Sequence, residues 1–373
     1  MHFAAIGRAE SPVPGMRRKN GEKGAMDRKH AIPTLADVAR HANVSTATVS
    51  RCLNAPDQVV GATRERVMGA VRELGYAPNF NARALAARRT NTVGAIIPTM
   101  ENAIFARGVQ AFQEELQLHG MTLLVASSSY REDLEAEQIR TLIARGADAL
   151  FLIGYHRSDD VYRFIEQRGI PVIVAWVHDP AQRRMSIGFD NREAMKDLAN
   201  EVLDLGHRRI GYITADRSSN DRARDRVIGV REAMTQRGLD PQSLTLIETT
   251  YSIDNGGTAF AEIMRGDDRP SVVMCGNDVL AVGAVRQAKA MGMSIPGDVS
   301  ITGFDEIELA DVVEPALTTV HVPHREMGRQ AAAVLLDVIN GRTEIGPGKA
   351  PPSIRLETHV CMRETLGPAP VGT

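Results

Sequence analysis

The stretch "PTLADVARHANVSTATVSRCLN", Pro33 to Asn54, carries two short apolar patterns on either side of Asn43. Leu35, Val38 and Ala39 recur at the spacing of one helical face. Thr34 precedes them and Asp37 stands three residues on, the arrangement of a capping box. Asn43 tolerates the left-handed backbone of a tight turn. Ser45 can cap a second helix, in which Val49 and Leu53 face inward. The outer face of that helix holds Thr46, Ala47, Ser50 and Arg51. Ser and Thr are mediocre inside helices, because their hydroxyls compete for backbone hydrogen bonds. Their presence asks for another reason. A third helix is predicted through "TRERVMGAVRELG", with Val67, Val71 and Leu74 on one face and Gly75 at its end.

Two helices across a tight turn with a third behind them make a helix-turn-helix. Small side chains let the second helix sink into a DNA major groove, which is about 12 Å wide. Hydroxyls reach phosphates or base edges, and Arg51 can pair bidentately with guanine. The competing reading is a structural three-helix bundle whose polar face is only solvated. The next stretch, "YAPNFNARALAARRTNT" (76–92), weighs on this. Pro78 stops the preceding helix, and Asn79 can cap a new one ending near Ala87. About eight residues are too few for a helix to hold alone in water, so this one is expected to form only against a partner. Leu85 can wedge between base pairs in a minor groove. Arg83, Arg88 and Arg89 can neutralise phosphates. The alternative is an ordinary linker with one exposed Leu.

Charge supports the first reading. Residues 1–91 hold 15 Lys/Arg against 7 Asp/Glu, and the rest holds 29 against 39. A basic head on an acidic body fits a polyanionic partner, although a charged disordered tail would look similar. Residues 1–32 show little apolar pattern and are expected to be disordered, with Met16 and Met26 as alternative starts. No apolar run approaches the roughly 20 residues of a membrane span. Cys52, Cys275 and Cys361 form no CxxC pair, which fits a reducing cytoplasm without disulfides or structural zinc.

From Thr92 the texture changes. Short apolar runs ("TVGAIIPT", "MTLLVASS", "DALFLIG", "PVIVAW", "RRIGYIT", "PSVVMCG", "DVSITGF") alternate with amphipathic stretches at 103–119, 134–145, 193–205 and 323–340. Continuous apolar runs indicate strands buried on both faces, hence an α/β body of parallel, doubly wound sheets. Two sheets are expected over this length. Several polar residues follow strands at once: Asn277 and Asp278, Asp305, and Asp190, with Arg226 opening a later helix. The carboxyl ends of strands are where such sheets bind ligands, and these groups suit hydroxyls that both donate and accept. Asp and Asn there also cap helices, and Asp278 is expected to do only that. Enzyme signatures (GxGxxG, GxxxxGK[ST], GxSxG, HExxH) are missing, so no catalytic residue, metal or cofactor is assigned.

Taken together, "TLADVARHANVSTATVSRCLN", "LGHRRIGYI", "GNDVLAVGAVRQAKAMGMSIPGDVSITGFDEIELA" and "PALTTVHVPHREMG" resemble the lactose-repressor (LacI) family of bacterial transcription regulators. The phrases "SRCLNAPDQV" and "IGFDNREAM" look nearer its gluconate-repressor branch. The resemblance covers roughly residues 33–365. It implies a homodimer on a palindromic operator, with a cytoplasmic, effector-controlled repressor role in carbohydrate use. It places Thr46, Ala47 and Arg51 on bases, and Thr34, Ser45, Thr48, Ser50 and Asn54 near phosphates. Asn79, Ala82 and Leu85 belong to a hinge helix on the minor groove. Two departures stand out: Asn43 replaces a turn Gly, and Val60 replaces a capping Ser. The body resembles periplasmic sugar-binding proteins, with a sugar or sugar acid between two lobes. Asn277, Asp305 and Arg226 match ligand positions, Asn102 and Phe105 the opposite wall, Tyr251 an aromatic position, and Asp190 is a further candidate.

The implied organisation is a head at 33–78, hinge and linker at 79–91, and a body at 92–366. Its first lobe takes 92–189 and 322–350, its second 190–318 and 351–366, with crossings near 189–192, 318–322 and 349–354. A disordered tail follows at 367–373, and its lack of a heptad helix favours a dimer over a tetramer. The rival readings are a sugar receptor without DNA and a sugar-modifying enzyme with an accessory head.

Overall fold

Thr34 starts the first helix as its spacing demands. In the computed structural model its hydroxyl accepts from the Asp37 amide at 3.3 Å, and the Asp37 carboxylate accepts from the Thr34 amide at 2.9 Å. The structure describes residues 32–77, 89–101, 103–181, 183–266, 268–346 and 348–370. The hinge residues Asn79, Ala82, Arg83, Leu85 and Arg88, the N-terminal residues 1–31 and the pocket candidate Asn102 lie outside the described residues. The chain divides into two units, Met1–Arg83 and Ala84–Thr373.

In the head, α1 (Leu35–His41), α2 (Thr46–Asn54) and α3 (Gly61–Leu74) enclose Val38, Ala39, Val49, Cys52, Val67 and Ala70. Asn43 takes the left-handed turn at φ 52°, and Ser45 caps α2 by accepting from the Thr48 amide at 3.1 Å. Gly75 ends α3 at φ 61°. Val60 precedes α3 with no side-chain cap and stands 76% exposed, the weak start expected where a hydroxyl residue is replaced.

The body begins with β1 (Thr92–Ile97), then α4 (Ala106–Leu118), β2 (Thr122–Ser127), α5 (Glu132–Ala144), β3 (Ala149–Ile153), α6 (Asp159–Gln167), β4 (Val172–Ala175) and β5 (Met185–Gly188). It continues with α7 (Asn191–Asp204), β6 (Ile210–Thr214), α8 (Asp221–Gln236), β7 (Thr245–Glu248), α9 (Ile253–Ile263), β8 (Val272–Cys275), α10 (Asp278–Ala290) and β9 (Ser300–Thr302). Then come α11 (Leu309–Val312), β10 (Thr319–His321), α12 (His324–Ile339), β11 (Ser353–Arg355) and β12 (His359–Cys361). The first lobe is a parallel sheet ordered β11-β5-β4-β3-β1-β2, and the second is β7-β6-β8-β9. Beside them β10 and β12 pair antiparallel.

Three expectations change. The division of lobes expected from the sequence puts residues 351–366 in the second lobe, but Ser353–Arg355 pair with Ser186–Gly188 in the first sheet, so the chain crosses after Arg355. The tail is anchored through residue 370: the Gly367 carbonyl meets the buried His207 ring at 2.9 Å, and the Ala369 amide donates to Leu205 at 2.9 Å. Its polar composition concealed backbone groups that find partners. β2 is an edge strand with one neighbour, so its apolar run is half open, with Leu124 and Val125 exposed.

Helix α12 returns to the first lobe and packs on α4. Two glycines permit the contact. A Cβ on Gly328 would lie 1.9 Å from the Gly108 carbonyl oxygen, and one on Gly108 would meet Trp176 at 2.5 Å. Gly328→Ala is therefore expected to lower stability by ~1–3 kcal/mol through overpacking, read as a fall in the urea midpoint of the body. Gly69→Ala, inside α3 with open space around it, is expected to stabilise the head by ~0.5–1 kcal/mol.

Candidate nucleic-acid interface and ligand cleft

On α2, Thr46, Ala47, Arg51 and Asn54 are exposed, and Thr48 and Ser50 half-buried. Arg51 has no protein partner among the described residues. No acidic residue sits in the first turn, so the positive end of the helix stays open to anions. Thr34, at the start of α1, and Ser45, at the start of α2, are exposed, and their hydroxyls already serve the caps. Asn54 donates to Ser50 at 3.2 Å. Thr34 apart, these residues thus form one polar surface around the start and outer side of a short helix.

The second site lies between the lobes of the body. Its cavity is lined from the first lobe by Ile104, Phe105, Tyr130 and Trp176. From the second lobe come Asn220, Arg222, Arg226, Tyr251, Asn277 and Asp305. Each follows the carboxyl end of a strand or sits in the first turns of the next helix, where loops from both sheets converge. Of the residues expected from the sequence, Phe105, Arg226, Tyr251, Asn277 and Asp305 meet here. Asp190 does not. Its exposed carboxylate caps α7, accepting from the Arg192 and Glu193 amides at 3.0 Å. A carboxylate at a helix start satisfies orphan amides, and here that role prevails. Its neighbour Asn191 is the one that touches a cavity residue, accepting from Arg226 Nε at 2.9 Å.

Tyr130, Trp176, Asn220, Arg222 and Ile104 were missed. The strand-end rule already covers Tyr130 and Trp176, which close the apolar runs of β2 and β4. Asn277 divides its amide: Oδ1 caps α10 by accepting from Leu280 at 2.9 Å, while Nδ2 has no partner among the described residues. Asp278 is not the cap. It is wholly buried and accepts from the Ile307 amide at 2.8 Å and the Thr319 hydroxyl at 2.6 Å.

Asp305 is 1% exposed, and neither carboxylate oxygen has a hydrogen-bond partner among the described residues. Its backbone is held at φ 103°, a region L residues avoid unless their surroundings impose it. The imposing contacts are its amide on Val320 at 3.1 Å and its carbonyl on the His324 ring at 2.9 Å. Arg226 Nη2 stands 3.6 Å away, with its guanidinium 3.7 Å over the Phe304 ring. Arg226 Nη1 donates to the Gly276 carbonyl at 2.5 Å. Burial pushes the Asp305 carboxyl up to about 6, against the pull of Arg226 and Arg222. The same burial holds the His324 ring neutral, down at about 4.

A carboxyl near 6 when folded and about 3.9 when unfolded keeps more protons in the folded state between those values. Its contribution to stability therefore falls as pH rises from about 4 through about 6. Asp305→Asn should melt above the wild type at pH 7 without ligand, and match it near pH 4. A variant less stable at pH 7 would mean that pairing with Arg226 outweighs burial. Asp278 is raised by burial and, second, by the Asp305 charge, so its own share of the decline is smaller in Asp305→Asn, which adds to the difference at pH 7.

Known proteins share both halves. Residues 34–79 match the bacterial regulatory proteins of the lacI family, and residues 199–366 match a periplasmic binding protein-like domain. The HTH-type transcriptional repressor CytR of Escherichia coli (strain K12) is 33% identical over 324 residues, covering 86% of this chain and 94% of that one. The structure of the Lac repressor dimer bound to operator and the anti-inducer ONPF aligns with a TM-score of 0.78 and 25% identity, over 90% and 100% of the chains. The complex of the regulator CelR with cellobiose aligns at 0.66 and 29%, over 89% and 99%. From its capped head to its two-lobed body, the chain belongs to the lacI family of bacterial regulatory proteins.

Proposed function

We propose that this regulator, a transcription factor and not an enzyme, binds a palindromic DNA operator as a homodimer and represses genes of carbohydrate use. A small hydroxyl-rich molecule between the lobes of the body controls that binding. The observation that carries the reading is one chain with both parts: an exposed Thr46–Ala47–Arg51 face, and an interlobe cavity where the buried Asp305 carboxylate and Asn277 Nδ2 have no hydrogen-bond partner among the described residues. CytR is a repressor, the Lac repressor was captured on its operator as a dimer, and CelR was captured with a sugar, all of which favour it. The half-open β2 edge, with Leu124 and Val125, offers apolar surface for a second copy. Among the described residues, no helix is long and apolar enough to cross a membrane.

Thr46 and Ala47 choose the half-site with Arg51, and Thr34, Ser45, Thr48, Ser50 and Asn54 hold the phosphates. Residues 79–87 act as the hinge, with Asn79 at its start, Ala82 against the duplex and Leu85 as the wedge. Such a segment is marginal as a helix, so a few kcal/mol of differential ligand binding is enough to decide whether it forms. Operator titration at several salt concentrations tests this. Arg51→Ala should weaken specific binding about 10- to 100-fold and relax choice at one base pair. Leu85→Ala should lower specific binding while leaving the weak, salt-sensitive background nearly unchanged. Full-strength specific binding by both variants would refute the assignment.

A further inference from the structure

The charges of the cleft say more about its ligand than the fold does. Two cations line the inner cavity, and each already faces a carboxylate of the protein. Arg222 Nη1 donates to Asp221 at 2.9 Å, both side chains being under a tenth exposed. Asp221 in turn accepts from the Tyr155 amide of the first lobe. Arg226 spends Nε and Nη1 on Asn191 and Gly276, and its Nη2 lies beside Asp305. These four groups sum to zero charge. Among the fully buried atoms of the described cavity lining, those without a partner are two acceptor oxygens on Asp305 and two donors, Asn277 Nδ2 and Trp176 Nε1, each residue at most 1% exposed.

An adjoining cavity shares Tyr130 and Arg222 with the inner one and is also lined by Arg131, Glu132, Glu135 and His156. Glu135 is paired with the buried Arg157 at 2.8 Å, Glu132 with His156, and Arg131 with Asp133. Here too no described cation is left without an acidic neighbour.

We propose that the effector is uncharged and carries adjacent hydroxyls, and that aldonic or uronic acids are rejected. Two neighbouring hydroxyls donate to the two oxygens of Asp305, while ring or hydroxyl oxygens accept from Asn277 and Trp176. A carboxylate in the same place adds one negative charge against a buried carboxylate, and both cations it could approach already stand beside a carboxylate of the protein. Phe105, with Tyr130 and Tyr251 whose rings stand 5.7 Å apart edge to face, supplies apolar walls for the C–H faces of a ring.

This rests on the cleft being the effector site, and the test separates the two claims. The full-length protein is titrated calorimetrically with matched neutral and acid pairs: glucose and gluconate, galactose and galacturonate, ribose and ribonate, with cellobiose and uridine added as neutral probes. At least one neutral compound is expected to bind, with its acid counterpart at least tenfold weaker. Asp305→Asn should weaken that neutral compound about tenfold or more, the worth of one charge-assisted hydrogen bond. It should also narrow the gap to the acid, because the cavity is then one charge more positive. A merely structural role for Asp305 would leave the ratio of the two affinities unmoved. If an acid binds more tightly than its neutral partner, and Asp305→Asn alters that affinity, neutrality is overturned while the cleft assignment stands. If Asp305→Asn and Asn277→Ala, both shown folded by thermal melting, leave every affinity unchanged, or if no compound binds, both claims fall.

Discussion

One residue stands where the body's two tasks meet. Asp305 offers its carboxylate to the cavity from the second lobe, yet its backbone belongs to the junction. Its amide is tied to β10, and its carbonyl to His324, the first residue of the helix that runs back into the first lobe. The backbone is held in a conformation it would not choose, so it cannot relax independently of those ties. Whatever pulls on the carboxylate therefore pulls on the link between lobes. Asp278 reinforces the junction from below, binding Ile307 and Thr319 on either side of it. A buried ring kept neutral, as His324 is, can do this without adding a charge that would itself need a partner.

The head solves a different problem. It has a small core and no disulfide among the described residues, so its ends must be well terminated. Capping at Thr34 and Ser45, the left-handed turn at Asn43 and the Gly75 stop supply this. Ser45 caps α2 beside its exposed side. In the proposed function stability and recognition draw on the same hydroxyls, which gives a reason for a helix so rich in Ser and Thr.

Much of this was legible in the sequence, because it depends on local chemistry. Caps, turn residues and helical spacing act within a few positions, and the head appears where they place it. The parallel sheets follow from continuous apolar runs. Of the pocket candidates, Asp305, Asn277, Arg226, Phe105 and Tyr251 converge because strand ends converge. What escaped depends on distant partners. Asp190 and Asn191 are adjacent and both polar, and only the position of Arg226, 35 residues later, decides which one serves the cavity. Ser353–Arg355 looked like a crossing until β5 claimed it. The tail looked unstructured because the ring that fixes it, His207, lies 160 residues earlier. The half-open face of β2 could not be read from its apolar run, since edge position is a property of the sheet.

Trp176 is the single tryptophan of the chain, and its indole lies in the wall of the cavity with its N–H unengaged among the described residues. The molecule thus contains one indole fluorophore, and it sits where a guest would arrive. A guest that displaces water from that ring or accepts its proton changes the polarity the indole senses. Occupancy of the cleft becomes visible as a colour shift in unlabelled protein, with no second indole to blur the signal.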